Sequence, residues 1–143
     1  MVRVYIPVAI ERSVRLVARN RCGYCLTPQY LSPAILQVEH IIPRCEGGTN
    51  DEGNLWLSCS RCNSFKGDRV SAIDPVTGMI VSLFNPRTQN WFEHFRWSED
   101  GIRVIGHTPI GRATVAVLHL DDDPIALVVR GYWVMAGWHP PIE

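Results

Sequence analysis

The chain has 143 residues and no formal net charge; 46% of its residues are hydrophobic and 20% are charged, which is the composition of a soluble globular protein with one core. Its apolar runs are far shorter than the roughly 20 residues of a membrane-spanning helix, and its first residues lack the basic-then-apolar order of a signal peptide. We therefore expect a cytoplasmic protein without a membrane partner, in which clustered cysteines bind metal more often than they form disulfides.

The charges are unevenly distributed along the chain. Residues 1–73 carry nine Arg and Lys against six Asp and Glu, a balance of +3, whereas residues 74–143 carry five against eight, a balance of −3. The basic side chains of the first part surround a stretch rich in cysteine and histidine, where a phosphate backbone would need them. A solvated helix face is an equally good explanation for Arg12, Arg15 and Arg19.

The first 73 residues are predicted to form a helix followed by a β-loop-β-α segment. Residues 7–19 form the helix, because Ile10, Val14 and Val17 fall on one face. The segment that follows is a strand, a loop rich in Gly and Asn, a short strand and a helix, at residues 35–42, 43–53, 55–58 and 60–68.

Residues 74–143 are predicted to form a compact extension that packs on the first 73 residues, and not a separate domain. The extension begins with a turn, a strand and a hairpin, at residues 74–78, 79–84 and 95–105. Thr108 and Asp123 each precede a proline, and a capping side chain before a first-turn proline marks the start of a helix. These two helices are expected to end near Leu118 and Ala136.

Four cysteines form two Cys-x-x-Cys pairs, Cys22 with Cys25 and Cys59 with Cys62. A gap of two residues lets both thiolates of a pair reach one ion, and two pairs complete a closed tetrahedral shell. Because a closed shell leaves no position for water, we predict a structural zinc whose removal would unfold the surrounding core. Buried free thiols or a redox pair are the alternatives. Cys45 lies outside both pairs and is interpreted as an ordinary loop or core residue.

Glu39 and His40 are neighbours on the first predicted strand. Adjacent side chains of a strand point to opposite faces, so these two cannot simply chelate one ion together. They can serve different roles, one on a metal and one on the nucleophile. A histidine at neutral pH is able to take a proton from a water that attacks a phosphodiester.

The cysteine pairs, Glu39 and His40 belong to one longer pattern. In order, its parts are Glu39-His40-Ile41-x-Pro43, Gly47-Gly48, Asn54-Leu55, and Cys59-x-x-Cys62-Asn63-x-x-Lys66. This pattern resembles the HNH endonuclease family in its four-cysteine, zinc-bearing form, whose members are ββα-metal nucleases. The resemblance covers residues 22–67 and implies an α+β fold, with a ββα-metal HNH core, a four-Cys structural zinc, an N-terminal helix and a C-terminal α/β extension.

The resemblance also implies roles for four side chains. His40 is the general base, Glu39 stands at a metal-binding position, and Asn63 is the second protein ligand of the catalytic ion. Asn54 holds the loop between the strands and orients His40 through that loop. Glu39 and Asn63 are both oxygen donors, which suit Mg²⁺ or Mn²⁺ better than Zn²⁺ or Ni²⁺.

The activity implied by the resemblance is hydrolysis of DNA phosphodiester bonds. His40 would deprotonate an in-line water and one divalent ion would neutralise charge on the phosphate and the leaving oxygen, giving a 5′-phosphate and a 3′-hydroxyl. Arg44, Lys66 and Arg69 are candidates for contacts with the neighbouring phosphate. Solvated helix-face charges are an equally good explanation for Lys66 and Arg69.

Three functions fit the pattern: an HNH endonuclease, a non-catalytic zinc-stabilised module that binds nucleic acid, and a zinc-stabilised protein that binds other proteins. The intact trio of His40, Asn54 and Asn63 favours the endonuclease, because a binding module needs no base and metal ligand in register. Neutral net charge and the acidic run at residues 121–123 keep the protein-binding function open. A monomer would nick DNA, whereas double-strand cutting would favour a homodimer, and a partner protein could supply sequence specificity.

Overall fold

The structure is a computed structural model that describes residues 5–141. It forms two compact units. The first contains the chain up to Val70 together with Asn85–Thr88, and the second contains Ser71–Phe84 and the chain from Gln89 on. Helices and small antiparallel sheets make up both units, which confirms the predicted α+β class.

The first unit has the predicted order of helix, strand, strand and helix. Its elements are α1 (Val8–Val17), β1 (Gln37–His40), β2 (Leu55–Ser58) and α2 (Ser60–Lys66). The predicted helix is two residues too long at its C-terminal end, because Arg19 and Asn20 have positive φ. The predicted strand at 35–42 is shortened to β1, where His40 pairs with Leu55 of the antiparallel β2.

The core of the first unit lies between α1 and β2. The side chains of Val14 and Ala18 pack there against those of Leu36, Leu55 and Leu57, all of them buried. At roughly 1.5–3 kcal/mol for each large apolar side chain, this contact supplies much of the stability that holds the β-hairpin in place. The end of β1 that carries His40 is therefore attached to a rigid element.

Two glycines shape the loop between β1 and β2, and each has a different reason. Gly47 has a φ of 89°, which favours glycine. A Cβ on Gly48 would lie 1.6 Å from the carbonyl oxygen of Ile42. The Gly47-Gly48 pair is thus required by the loop's own folding against the end of β1.

Arg87 attaches residues 85–88 to the first unit by hydrogen bonds to β2. Arg87 donates to the carbonyl oxygen of Leu55 from Nε at 3.2 Å and from Nη2 at 3.1 Å. Its guanidinium lies 5.1 Å from the ring centroid of Trp56, which is a cation–π contact. Trp56 is therefore a packing residue of this unit.

The second unit contains two hairpins and three helices within its described residues. They are β3 (Ser71–Ile73), β4 (Ile80–Ser82), α3 (Trp91–His94), β5 (Phe95–Trp97), β6 (Val104–Gly106), α4 (Pro109–Leu118) and α5 (Pro124–Ala136). The hairpin predicted at 95–105 is confirmed as the antiparallel pair of β5 and β6. Neither β3 nor α3 was predicted, since each is only three or four residues long.

The two helix starts predicted from capping residues are confirmed. The Thr108 hydroxyl accepts from the amide of Gly111, and the Asp123 carboxylate accepts from the amides of Ile125 and Ala126. Gly111 also lets α4 approach α3, because a Cβ there would lie 2.0 Å from a backbone carbonyl oxygen of that helix. No helix within residues 5–141 is both long and apolar enough to cross a membrane.

A buried carboxylate closes the turn between β3 and β4. Asp74 accepts hydrogen bonds from the amides of Val76 and Thr77 and from the Thr77 hydroxyl. Arg112 of α4 donates to its two oxygens from Nε and Nη2, both at 2.9 Å. This bidentate pair fastens the first hairpin to α4.

Replacing Asp74 by asparagine is expected to destabilise the second unit in a pH-dependent way. The Arg112 guanidinium holds the pKa of the Asp74 carboxyl well below its ordinary value. A lowered folded-state pKa contributes stability that is complete above about pH 4 and is lost as the pH falls through the folded value. The melting temperatures of wild type and Asp74→Asn should therefore differ at pH 7 and converge in acid. A difference that stays constant with pH, or that the exposed-site control Glu99→Gln reproduces, would contradict this origin.

Candidate metal centre and catalytic cleft

The four paired cysteines meet in the first unit. Their Sγ atoms all lie within 4.8 Å of one another, and those of Cys25 and Cys59 are 3.7 Å apart. Four thiolates at about 2.3 Å from one zinc ion in a tetrahedron would have Sγ–Sγ distances of roughly 3.8 Å. The cluster therefore has the size of a four-thiolate metal site, and the structure brings together every cysteine predicted for it.

Local backbone structure points these thiols inward. The amide of Tyr24 donates to Cys22 Sγ at 3.5 Å, and the amide of Cys62 donates to Cys59 Sγ at 3.4 Å. The second bond is also the N-terminal cap of α2. Both pairs thus form a turn in which backbone N–H groups stabilise negative charge on sulfur.

The electrostatics of the thiol cluster are those of a site that needs a cation. Burial raises the pKa of the Cys22 thiol, and hydrogen bonds with the other thiols raise the pKa of Cys62. Hydrogen bonding from Cys22 lowers the pKa of Cys25. Because four clustered thiolates, three of them buried, cannot coexist without compensating charge, full ionisation of this group requires a bound metal ion. Cys45 is exposed and stands apart from the cluster.

His40 lies at the end of β1 and is half-buried. Its Nε2 is 2.7 Å from the side-chain oxygen of Asn50. Asn50 was predicted only as a loop residue, and its contact with His40 was missed. The contact depends on the way the loop between β1 and β2 folds back, and the sequence signal for that fold is the Gly47-Gly48 pair just before Asn50.

Asn54 fastens the other side of this loop. Its side-chain oxygen accepts from the Ile42 amide at 2.9 Å, and its Nδ2 donates to the carbonyl oxygens of Ile42 at 3.0 Å and Thr49 at 2.9 Å. Its own carbonyl accepts from the Ile41 amide at 2.8 Å. Asn54 thereby connects the backbone just after His40 with the backbone just before Asn50, and these bonds do not involve the imidazole.

Glu39 directly precedes His40 on β1 and is buried. Its carboxylate is 3% exposed, accepts a hydrogen bond from the Tyr24 hydroxyl and lies 3.6 Å from Lys66 Nζ. Burial raises the pKa of Glu39, and the Lys66 charge opposes that rise. Glu39, a predicted metal ligand, is thus already paired with Tyr24 and Lys66 inside the first unit.

The structure corrects the prediction that Lys66 contacts substrate. Its side chain is 2% exposed, and Nζ donates to the carbonyl oxygens of His40 at 3.2 Å and Ile41 at 3.0 Å. A buried ammonium needs such partners, and they leave it no access to a phosphate. Lys66 instead fastens α2 to the backbone at the end of β1 that carries His40.

Asn63 lies one helical turn before Lys66 on α2 and faces the same side of β1. Its Nδ2 donates to the Gln37 side-chain oxygen at 2.6 Å, which turns the Asn63 amide oxygen away from Gln37. Gln37 and Glu39 are two residues apart on β1, so they share one face of the strand. The two predicted ligands of the catalytic ion, Glu39 and Asn63, therefore lie on the same side of the hairpin.

One cleft of 210 Å³ brings four of the predicted site residues together. It is lined by Val38, Glu39, His40, Pro43, Arg44, Asn63, Gly67 and Asp68. Asp68, an exposed carboxylate just after α2, was not predicted as part of the site. Arg44 is exposed at the rim, and Arg69 is exposed with Nη1 bonded to the Phe65 carbonyl at 2.9 Å. Asn54 and the cysteine cluster do not line this cleft.

Comparisons with known proteins agree with this geometry. Residues 22–69 match the family model described as HNH endonuclease. A curated relative, the CRISPR-associated endonuclease Cas9 of Corynebacterium diphtheriae, is 36% identical over 76 residues, which cover 50% of this chain and 7% of the relative. The Septu protein PtuB of Bacillus thuringiensis is 28% identical over 115 residues, which cover 79% of this chain and 41% of the relative. The chain thus spans less than half the length of either relative. No solved structure matches it significantly.

Proposed function

We propose that this protein, whose residues 22–69 are an HNH endonuclease domain, is a metal-dependent endonuclease that hydrolyses phosphodiester bonds in DNA. The observation that carries the proposal is that His40 and Asn63 line one cleft, with the imidazole of His40 held by Asn50. An oriented histidine next to oxygen donors is the arrangement that metal-assisted hydrolysis requires.

The hydrogen bond with Asn50 supports Nδ1 as the reactive nitrogen of His40. An amide oxygen can only accept, so Nε2 carries the hydrogen and Nδ1 keeps its lone pair. Nδ1 is then the atom that takes the proton from an attacking water. In-line attack on phosphorus breaks the P–O3′ bond, with the 3′ oxygen as the leaving group, and so leaves a 5′-phosphate and a 3′-hydroxyl.

Glu39 and Asn63 would hold the catalytic cation, with Mg²⁺ or Mn²⁺ as the best fit. The donor set is made of oxygens only, and the Asp68 carboxylate in the same cleft is a further acidic group of that kind. A bound cation would supply charge neutralisation for the scissile phosphate. For Glu39 to serve, its carboxylate has to exchange part of its contact with Tyr24 and Lys66 for the ion.

Zinc is the proposed ion of the cysteine cluster, with a structural role. Two observations support a closed shell. The Sγ atoms of Cys25 and Cys59 are 3.7 Å apart, and the cluster consists of four thiols that each offer one sulfur ligand. Cys59 and Cys62 begin α2, which also carries Asn63. The zinc would therefore hold the catalytic helix in register with β1.

Arg44 and Arg69 are the proposed contacts to DNA phosphates. Both are exposed; Arg44 itself lines the cleft, and Arg69 follows Asp68, which also lines it. Two arginines give orientation without reading base sequence. We therefore expect low sequence specificity from this chain alone, with any further specificity supplied by a partner protein.

The test is cleavage of supercoiled plasmid by purified, zinc-loaded protein. Nicked or linear product is expected with Mg²⁺ or Mn²⁺ and none with EDTA, provided that the zinc content is unchanged after the EDTA treatment. End-labelling of the product should show 5′-phosphate ends. Cleavage that persists without a divalent ion, or the absence of cleavage with every ion by protein that retains its zinc, would overturn the proposal.

One observation favours a second candidate, a non-catalytic zinc-stabilised module that binds nucleic acid. The Glu39 carboxylate already has Tyr24 and Lys66 as partners, so the first unit is folded without a catalytic ion. A module of this kind would bind the plasmid with a steep salt dependence and would not cut it. The same plasmid experiment, read by gel shift, distinguishes the two.

Replacing Asn50 by alanine is expected to lower the cleavage rate by about 10–100-fold with little change in KM, because Asn50 contacts the base and not the substrate. The ¹⁵N chemical shifts of the His40 imidazole should show Nε2–H in wild type and a mixture of tautomers in Asn50→Ala. Thr49→Ala, at the preceding position, is the matched control and should keep the wild-type tautomer. A wild-type tautomer retained in Asn50→Ala would remove the orienting role.

A further inference from the structure

Helix α5 of the second unit is apolar on every side. Its sequence, Pro124–Ala136, contains one charged residue, Arg130, and that residue is buried. A helix that is apolar all round is normally covered on all sides. In this unit only one side is covered.

The covered side is firmly anchored. Arg130 donates from Nη1 to the carbonyl oxygens of Ile102 at 3.1 Å and Leu120 at 2.7 Å, and its guanidinium lies over the ring of Trp97. Ala126 is buried on the same side. Rotation of α5 to hide its opposite side would break these bonds and expose the arginine-binding carbonyls.

The opposite side is a continuous apolar stripe. Its members are large side chains between 37% and 83% exposed: Ile125, Val128, Val129, Tyr132, Met135 and, just beyond the helix, Trp138. Within it, Ile125, Val128, Tyr132 and Met135 follow steps of three, four and three residues. This is the a/d spacing with which one helix packs against another.

Charge around the stripe argues against lipid and nucleic acid as the partner. The stripe contains no basic residue, and the residues that precede α5 are Asp121, Asp122 and Asp123. An anionic membrane surface or a phosphate backbone would be repelled by these carboxylates. An apolar, uncharged centre is instead the composition of interfaces between identical subunits.

The area of the stripe matches what a stable dimer needs. With about 150–250 Å² for an aromatic side chain and somewhat less for an aliphatic one, the exposed fractions leave roughly 700 Å² of apolar surface per chain. A standard interface buries about 800 Å² per partner. Two such stripes facing each other would fall within the usual range.

We infer that α5 is a dimerisation helix, on which a second copy of this chain packs about a two-fold axis. Val128 and Tyr132 lie at the centre of this contact. A stripe made of one uncharged, a/d-spaced surface is complementary to itself, as an isologous contact requires. The interface lies outside the HNH domain and does not depend on its activity.

The experiment uses the full chain and two oppositely charged double variants. One carries Val128→Glu and Tyr132→Glu, and the other carries Val128→Lys and Tyr132→Lys. Leu16→Glu, on an 81% exposed apolar residue of α1, is the matched control. Mass is measured by light scattering after size exclusion and by sedimentation at concentrations from about 1 to 100 μM, with circular dichroism to confirm the helices.

Wild type and Leu16→Glu should have twice the mass of one chain, and each double variant should be monomeric. Mixing the two double variants should restore the dimeric mass, because both parallel and antiparallel pairing place Glu opposite Lys. A monomeric wild type at 100 μM, a dimer retained in either double variant, or a mixture that stays monomeric would each overturn the inference. Wild-type monomer that co-sediments with phosphatidylglycerol vesicles would assign the stripe to a membrane instead.

Discussion

Replacing His40 by alanine is expected to reduce metal-dependent plasmid cleavage by about 10²–10⁴-fold, the contribution typical of a general base. The variant should cleave more slowly but keep the wild-type fold. His40 is half-buried at a strand end, and the core of its unit is formed by other residues, among them Val14, Leu55 and Leu57. The backbone that Lys66 binds at position 40 is unaffected by truncation of the side chain.

The comparison that isolates the base is His40→Ala against His107→Ala, an exposed histidine of the second unit. Initial rates of nicking are measured at saturating Mg²⁺ or Mn²⁺, with zinc content and melting temperature determined on the same samples. Wild-type cleavage by His40→Ala would remove this residue from the mechanism. A lower zinc content or melting temperature in the variant would show that the loss of activity is structural.

The parts of the fold that could be predicted are those determined by neighbouring residues. Thr108 and Asp123 each accept bonds from amides two or three residues away, so the starts of α4 and α5 were visible in sequence. The convergence of the two cysteine pairs followed from their spacing and from the valence of a tetrahedral ion.

The parts that could not be predicted depend on contacts between distant residues. Asn50 reaches His40 only because the loop after β1 folds back on Ile42, and loop conformation is not encoded by periodicity. Lys66 is a charged residue near the end of a helix, which ordinarily indicates exposure. Its burial follows from its position one turn after Asn63, on the side of α2 that faces Glu39. The helical spacing between Asn63 and Lys66, together with the position of Glu39 on β1, would have indicated this burial.

Replacing Cys59 by serine is expected to remove zinc and destabilise the first unit together. Cys59 supplies a thiol to the cluster and also caps α2 through the Cys62 amide. A hydroxyl is a poor zinc ligand, and the three remaining buried thiols would no longer be fully ionised. Each kcal/mol lost corresponds to roughly 2–4 °C in a protein of this size, so a loss of about 3 kcal/mol or more would lower the melting temperature by about 10 °C.

Cys45→Ser is the matched control, because Cys45 is the exposed cysteine outside the cluster. Zinc per chain is determined by mass spectrometry of the metal, next to thermal unfolding of the same samples. Wild type and Cys45→Ser should each hold one equivalent, and Cys59→Ser less than half. Since α2 carries Asn63, cleavage by Cys59→Ser should fall with the zinc content. A full equivalent retained by Cys59→Ser would mean that the ion is held elsewhere, and a normal melting temperature after its loss would mean that the zinc does not hold α2 in place.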